Sequence, residues 1–185
     1  MGMRIRLLGE PAILDGGGAA QPVRGFQAWA LLSRVVLAAA PLDRRGLAVE
    51  LFPETVDPLG SLRWCLASLR KALDCSDCLS GDPIATNFPE DVDVDVWQLD
   101  QAGFDMARAG RLLGSMEPRC SAEFSTWLLV ERERIAGVVA ARIRQETLRA
   151  ISVEDFDRAI RMAELGVRGD SFDESAHVLL VKSLA

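Results

Sequence analysis

Ser61-Leu62-Arg63-Trp64-Cys65-Leu66-Ala67-Ser68-Leu69-Arg70-Lys71-Ala72-Leu73 decides how the rest of this chain is read. Leu59, Leu62, Leu66, Leu69 and Leu73 recur at helical spacing and form one apolar stripe. Trp64, Ala67 and Lys71 fall on the opposite face, flanked by Arg63, and Arg70 lies nearer the apolar edge. Upstream, Arg44 to Phe52 reads as a shorter helix with Asp43 as its N-cap, closed by Pro53. Pro58 then opens the next helix. A helix held by its leucines and basic at its margins, set after a short helix and a turn, has the pattern of a helix-turn-helix reader.

Working outward, Arg4 to Gly9 alternates as a half-buried strand does, and Pro11 to Leu14 is its expected partner. The glycine run after Asp15 is a turn signal without the Lys-Ser or Lys-Thr of a phosphate loop. Pro22 to Arg24 is a candidate third strand. Phe26 to Ala39 has a broad apolar arc and predicts a buried helix. Ile84 to Thr86 is a candidate strand, and Asp91-Val92-Asp93-Val94-Asp95-Val96 alternates strictly, with valines toward a core and aspartates toward water. Strands, three helices, then strands is the order of a winged-helix domain, placed here over residues 1–96.

The remainder, 97–185, is expected to be helical. Trp97 to Ala109 is one candidate helix, and Ser121 caps a long one running to about Ala150. Ser152 to Asp155 and Ser171 to Glu174 have capping-box spacing and open two more. Arg168-Gly169-Asp170 is a short connection, so that pair is expected to be antiparallel. It is about one tetratricopeptide repeat long, and one such repeat cannot bury its own apolar face. The expectation is that the chain is the N-terminal part of a longer protein, or that a partner covers the pair. Trp97 and Trp127 are expected to anchor this helical domain.

The net charge of −6 argues against a generally adhesive polyanion binder. Its excess lies in one block, however: residues 81–100 carry six acids and no base, while 1–80 sum to +1 and 101–185 to −1. The longest apolar stretch, Ala28 to Leu42, is interrupted by Arg34 and too short to span a bilayer. With no signal-peptide pattern, a soluble cytoplasmic protein is expected, without membrane partners. Cys75 and Cys78 have zinc-ligand spacing, but no second pair or nearby histidine completes a set, so all four cysteines are expected to be reduced thiols. The Asp91/Asp93/Asp95 row lacks the glycine turn and distal glutamate of a calcium loop. With one histidine and no nucleophile motif, no enzyme, no catalytic residue, no metal and no cofactor emerges.

With both halves read, a resemblance becomes visible. Leu47-Ala48-Val49-Glu50-Leu51-Phe52-Pro53, the Ser61–Leu73 block, Asp93-Val94-Asp95-Val96-Trp97, and Phe124-Ser125-Thr126-Trp127-Leu128-Leu129-Val130-Glu131-Arg132-Glu133-Arg134 follow in an order that resembles the Streptomyces antibiotic regulatory protein family. The resemblance implies a response-regulator-type winged helix joined to an all-helical bacterial transcriptional activator domain with tetratricopeptide-like helices. It implies double-stranded DNA as partner, read in the major groove by the helix at 59–73. Arg63, Trp64, Ala67 and Lys71 would face the bases, and Arg70 with Arg44 or Arg45 the phosphates. It further implies homodimerisation or contact with RNA polymerase or another protein through the helical domain. Two departures stand against it. Trp64 replaces a commonly polar residue, and the expected wing, Ile84 to Asp91, has acids and no base. These motivate an alternative: a winged-helix and tetratricopeptide-like protein-interaction module that has lost DNA binding.

Overall fold

Asp43 and Asp57 start the two helices on which the site is built. The Asp43 carboxylate accepts from the Gly46 N–H at 2.6 Å and begins α2, Arg44–Leu51. The Asp57 carboxylate accepts from the Gly60 N–H at 2.8 Å and begins α3, Pro58–Ala72, with Pro58 in the first turn where its missing N–H costs nothing. Before them, α1 spans Phe26–Val36. These coordinates form a computed structural model that describes residues 2–101 and 103–184. Among the described residues there are four strands and seven α-helices, a mixed α/β protein.

The strands are β1 (Arg4–Arg6), β2 (Ala12–Leu14), β3 (Ala20–Gln21) and β4 (Asp93–Val94), in the order β3-β2-β1-β4. β1 pairs antiparallel with β2, Ile5 opposite Ile13, and parallel with β4, Ile5 opposite Val94. All three of these side chains are buried. The third strand falls at Ala20–Gln21 rather than at Pro22 to Arg24, where the proline could not donate to the ladder. Ile84 to Thr86 makes only isolated bridges, Leu42 with Ile84 and Ser80 with Ala85.

The strict Asp-Val alternation does not continue as a strand. After Val94 the chain turns into α4, Asp95–Gln98, and Asp95 points inward. Its carboxylate accepts from the backbone N–H groups of Leu7 and Leu8 at 2.9–3.0 Å, ending the β1 ladder in place of a strand partner. Burial pushes the Asp95 carboxyl above its ordinary range, and the N–H donors of Leu8, Leu7 and Val96 oppose that shift. Trp97 to Ala109 is likewise not one helix: α4 stops at Gln98, and a single 3-10 turn, Met106–Arg108, follows later.

The chain forms two compact units, Met1–Gln98 with Gly110–Glu131, and Leu99–Ala109 with Arg132–Ala185. In the first, residues 110–114 lie back on the end of β1. Gly9 N–H donates to the Arg111 carbonyl (2.9 Å), and Leu113 N–H to that of Leu7 (2.8 Å). A Cβ on Gly110 would stand 2.7 Å from the Gly9 backbone, so only glycine permits this approach. The long helix α5, Ala122–Ser152, opens in this unit, with the Ser121 hydroxyl accepting from the Phe124 N–H. Both tryptophans expected to anchor the helical half anchor this unit instead. Trp97 donates its indole N–H to the Val36 carbonyl at the end of α1 (3.1 Å) and packs on Phe88. Trp127 packs on Phe124 and under the Arg34 guanidinium, 4.9 Å from the ring centre, and Arg34 also pairs with Glu50 at 2.9 Å.

The second unit contains the rest of α5, α6 (Phe156–Gly169) and α7 (Glu174–Leu184). Its caps are Asp155, accepting from Arg158 N–H, and Asp173, accepting from Ser175 N–H. Neither expected serine is the cap. Ser152 ends α5, bonding back to the Arg149 carbonyl, because the aspartates stand nearer the first free N–H groups. α6 packs against α7, and Ala159, Ala163 and Ala176 are the buried apolar residues of the pair.

Finally, Cys75 and Cys78 are not free thiols but a disulfide, their Cα atoms 5.5 Å apart. Cys65 and Cys120 are free. Burial pushes the Cys65 thiol up to about 11 and, with Glu50 nearby, that of Cys120 up to about 12. No group of three or more His, Cys, Asp or Glu side chains among the described residues is placed to hold a metal ion. No described helix is long and apolar enough to cross a membrane.

Candidate nucleic-acid interface

α3 is held by Leu62, Leu66 and Leu69, each at most 1% exposed, with Cys65, Ala72 and Leu73 also buried. Leu59, the first leucine of the stripe, stands outside the core at 39% exposed. The opposite face presents Arg63, Trp64, Ala67 and Lys71 to solvent. Four of the seven residues singled out in the sequence therefore share one open helix face, spaced i, i+1, i+4 and i+8.

The cations differ in how they are engaged. Arg63 pairs with Asp57 at 3.9 Å, with both side chains 69% exposed, an arrangement that water and salt screen almost completely. Lys71 and Arg45 are exposed and have no side-chain hydrogen bond or ion pair among the described residues. Arg70 and Arg44 point elsewhere. Arg70 donates from Nε to the Cys78 carbonyl (2.9 Å) and from its terminal nitrogen to the Leu79 carbonyl (2.7 Å). Arg44 donates to the Gly81 carbonyl at 2.9 Å, and its backbone N–H reaches the Asp82 carboxylate at 3.4 Å.

Beside Trp64 lies a feature with no sequence signal, a cleft of about 680 Å³. Phe52, Val56 and Cys65 line it with Trp64, as do the charged side chains of Arg24 and Asp57. Arg24 is thus a cation next to the α3 face that the sequence reading passed over as part of a strand. Only the packing of the α1 entry against the turn before α3 brings it there. Trp64 remains 58% exposed.

The described residues thus form a mixed α/β chain whose small sheet and three helices leave one amphipathic helix with its cationic face outward. No protein-family model and no curated protein matches it. The fold is similar to that of Mycobacterium tuberculosis EmbR, solved in complex with a low affinity phosphopeptide, at a TM-score of 0.64 and 15% identity. The match covers 98% of this chain and 54% of that one, so the chain spans about half the length of EmbR. At this identity the likeness is one of fold alone, and EmbR's peptide partner is not carried over.

Proposed function

We propose that this protein is a sequence-specific DNA-binding transcriptional regulator. In this reading residues 1–96 are a winged-helix reader, α2 and α3 are its helix-turn-helix, and α3 lies in the major groove. Of residues 97–185, the tetratricopeptide-like helices that lie in the second unit, the rest of α5 with α6 and α7, serve dimerisation or contact with RNA polymerase. The observation that carries the reading is the split of α3: leucines inward, and Arg63, Trp64, Ala67 and Lys71 outward together. Arg63 can take guanine bidentately, Lys71 can neutralise a phosphate, and Trp64 and Ala67 can meet a thymine methyl. Arg45 at the start of α2 supplies a further phosphate contact. Arg44 and Arg70 contribute only if they leave their carbonyl partners. The fold shared with EmbR and the order of the sequence blocks support the same reading.

Selection of bound fragments from random DNA at moderate salt tests it, with the Arg63→Ala/Lys71→Ala double variant as control. A recovered motif is expected, bound with an affinity that falls steeply as salt rises. Arg63→Ala alone should cost about 1–3 kcal/mol and blur base preference, while Lys71→Ala should lower the salt slope by about 1. An unchanged double variant would show the assigned face to be wrong. The cleft beside Trp64 and the internal engagement of Arg44 and Arg70 favour a second reading, a protein-interaction module without DNA binding. Recovery of no motif at any salt selects it.

A further inference from the structure

The end of α3 closes a ring that DNA contact does not require. The helix finishes in a Schellman cap: Asp74, at φ 47°, donates its N–H to the Lys71 carbonyl, and Cys75 donates its N–H to the Arg70 carbonyl at 3.0 Å. Cys75, the last residue of that cap, is bonded through sulfur to Cys78, which is fully buried. Cys78 in turn receives the Arg70 guanidinium on its carbonyl. Backbone, disulfide and guanidinium thus tie Arg70, Cys75 and Cys78 into one closed loop. A few residues on, Gly81 and Asp82 hold Arg44. The segment from Cys75 to Asp82 therefore holds two of the candidate cations, Arg70 and Arg44, off the open α3 face and abuts the turn that carries Lys71, which stands on it.

The same site is furnished for the reduced state. The Cys78 sulfur lies 3.6 Å from the Asn87 carbonyl oxygen, a contact to which only a thiol can bring a proton. Cys75 is partly exposed, so a reductant can reach its sulfur, while Cys78 waits inside.

We propose that Cys75–Cys78 is a thiol–disulfide switch that sets the order of the last turn of α3 and, through it, the affinity of the α3 face for DNA. The output of the switch rests on the DNA reading above. A dithiol reductant attacks the Cys75 sulfur as a thiolate, and its second thiol resolves the mixed disulfide. The S–S bond breaks, two electrons and two protons pass to the pair, two protein thiols form, and the reductant leaves as its own disulfide. The Cys78 thiol then turns its proton to the Asn87 carbonyl. Cys75 leaves the ring, and only the two backbone bonds of the cap then hold Asp74 in a left-handed conformation that non-glycine residues adopt reluctantly. The last turn of α3 then opens more often, and the Lys71 charge that it presents on the open face spreads over more conformations.

Amide exchange and DNA binding, both measured on the full chain with and without a dithiol, test this. The probe is the duplex recovered in the selection, or a mixed-sequence duplex at low salt if none is recovered. Reduction should speed exchange at Leu73, Asp74 and Cys75 about tenfold, the scale of the constraint a short disulfide loop imposes. It should also weaken DNA binding several-fold. Cys75→Ser should behave as the reduced protein whether or not reductant is present, and the untreated wild type needs no substitution to fold. Unchanged exchange after two thiols have been released overturns the switch. Faster exchange with unaltered, measurable DNA binding overturns its link to the α3 face. If neither redox form binds the duplex, the DNA reading falls, and the switch loses its output with it; the exchange data keep that failure distinct from the first.

Discussion

α3 and α7 are both short helices striped with large apolar residues, and they fare differently. In α3 the leucines at 62, 66 and 69 are sealed, because α1 and α2 close over them. In α7 only Ala176 and Ser183 are buried, and Val178, Val181 and Leu184 stand 51–66% exposed, with Phe172 just ahead at 90%. Spacing along a helix says which residues share a face. It does not say whether a neighbour exists to cover that face. Three helices and a sheet suffice to close a core around one of them, and a helix pair does not.

Substitution separates the two stripes most sharply. Leu66→Ala should cost about 2–5 kcal/mol in chemical denaturation, because it leaves a cavity that its neighbours cannot fill. Val181→Ala, at a surface position, should stay within about 0.5 kcal/mol. Equal costs would mean that the α7 stripe is covered in solution. Asp95→Asn comes next, at about 1–3 kcal/mol, since the amide must turn a donor toward one of two N–H groups that both need an acceptor. This penalty carries a pH signature. The folded Asp95 carboxyl titrates above its unfolded value, so its contribution is greatest at pH below the unfolded value and declines as pH rises through the folded one. The cost of Asp95→Asn should therefore be larger in acid than at neutral pH, and a cost that grows toward neutrality would reverse the assignment.

What the sequence discloses follows from how local each determinant is. Asp43, Pro58 and Ser121 act within one turn of their own helices, and the starts they predict match the structure. The leucine stripe of α3 is legible for the same reason, as is the exposure of Arg63, Trp64, Ala67 and Lys71 opposite it. Asp95 is not legible, because its partners, Leu7 and Leu8, lie almost the whole first unit away in sequence. The engagement of Arg70 depends on a loop that doubles back, and the cleft beside Trp64 depends on how α1 enters. Trp97 is a related case. Its 3.1 Å bond to the Val36 carbonyl satisfies an acceptor left open by the end of α1. Trp97→Phe should cost about 1 kcal/mol, read from the same denaturation curves.

The smallest effect is chemical. With its thiol raised to about 11 and its side chain buried, Cys65 should react with a thiol reagent near pH 8 only as fast as the first unit opens. Modification at the rate of a free thiol would show that this unit is looser than the α3 comparison requires.

The return of residues 110–131 to the first unit has a practical consequence for anyone dissecting the protein. Cutting after Val96 would strip Leu112, Leu113, Phe124 and Leu128 from the interior and take Trp127 off Arg34. The severed piece would be expected to be insoluble or only partly ordered. A usable fragment runs at least through Glu131, so the smallest excisable form of the first unit must carry the opening turns of a helix that belongs mostly to its neighbour.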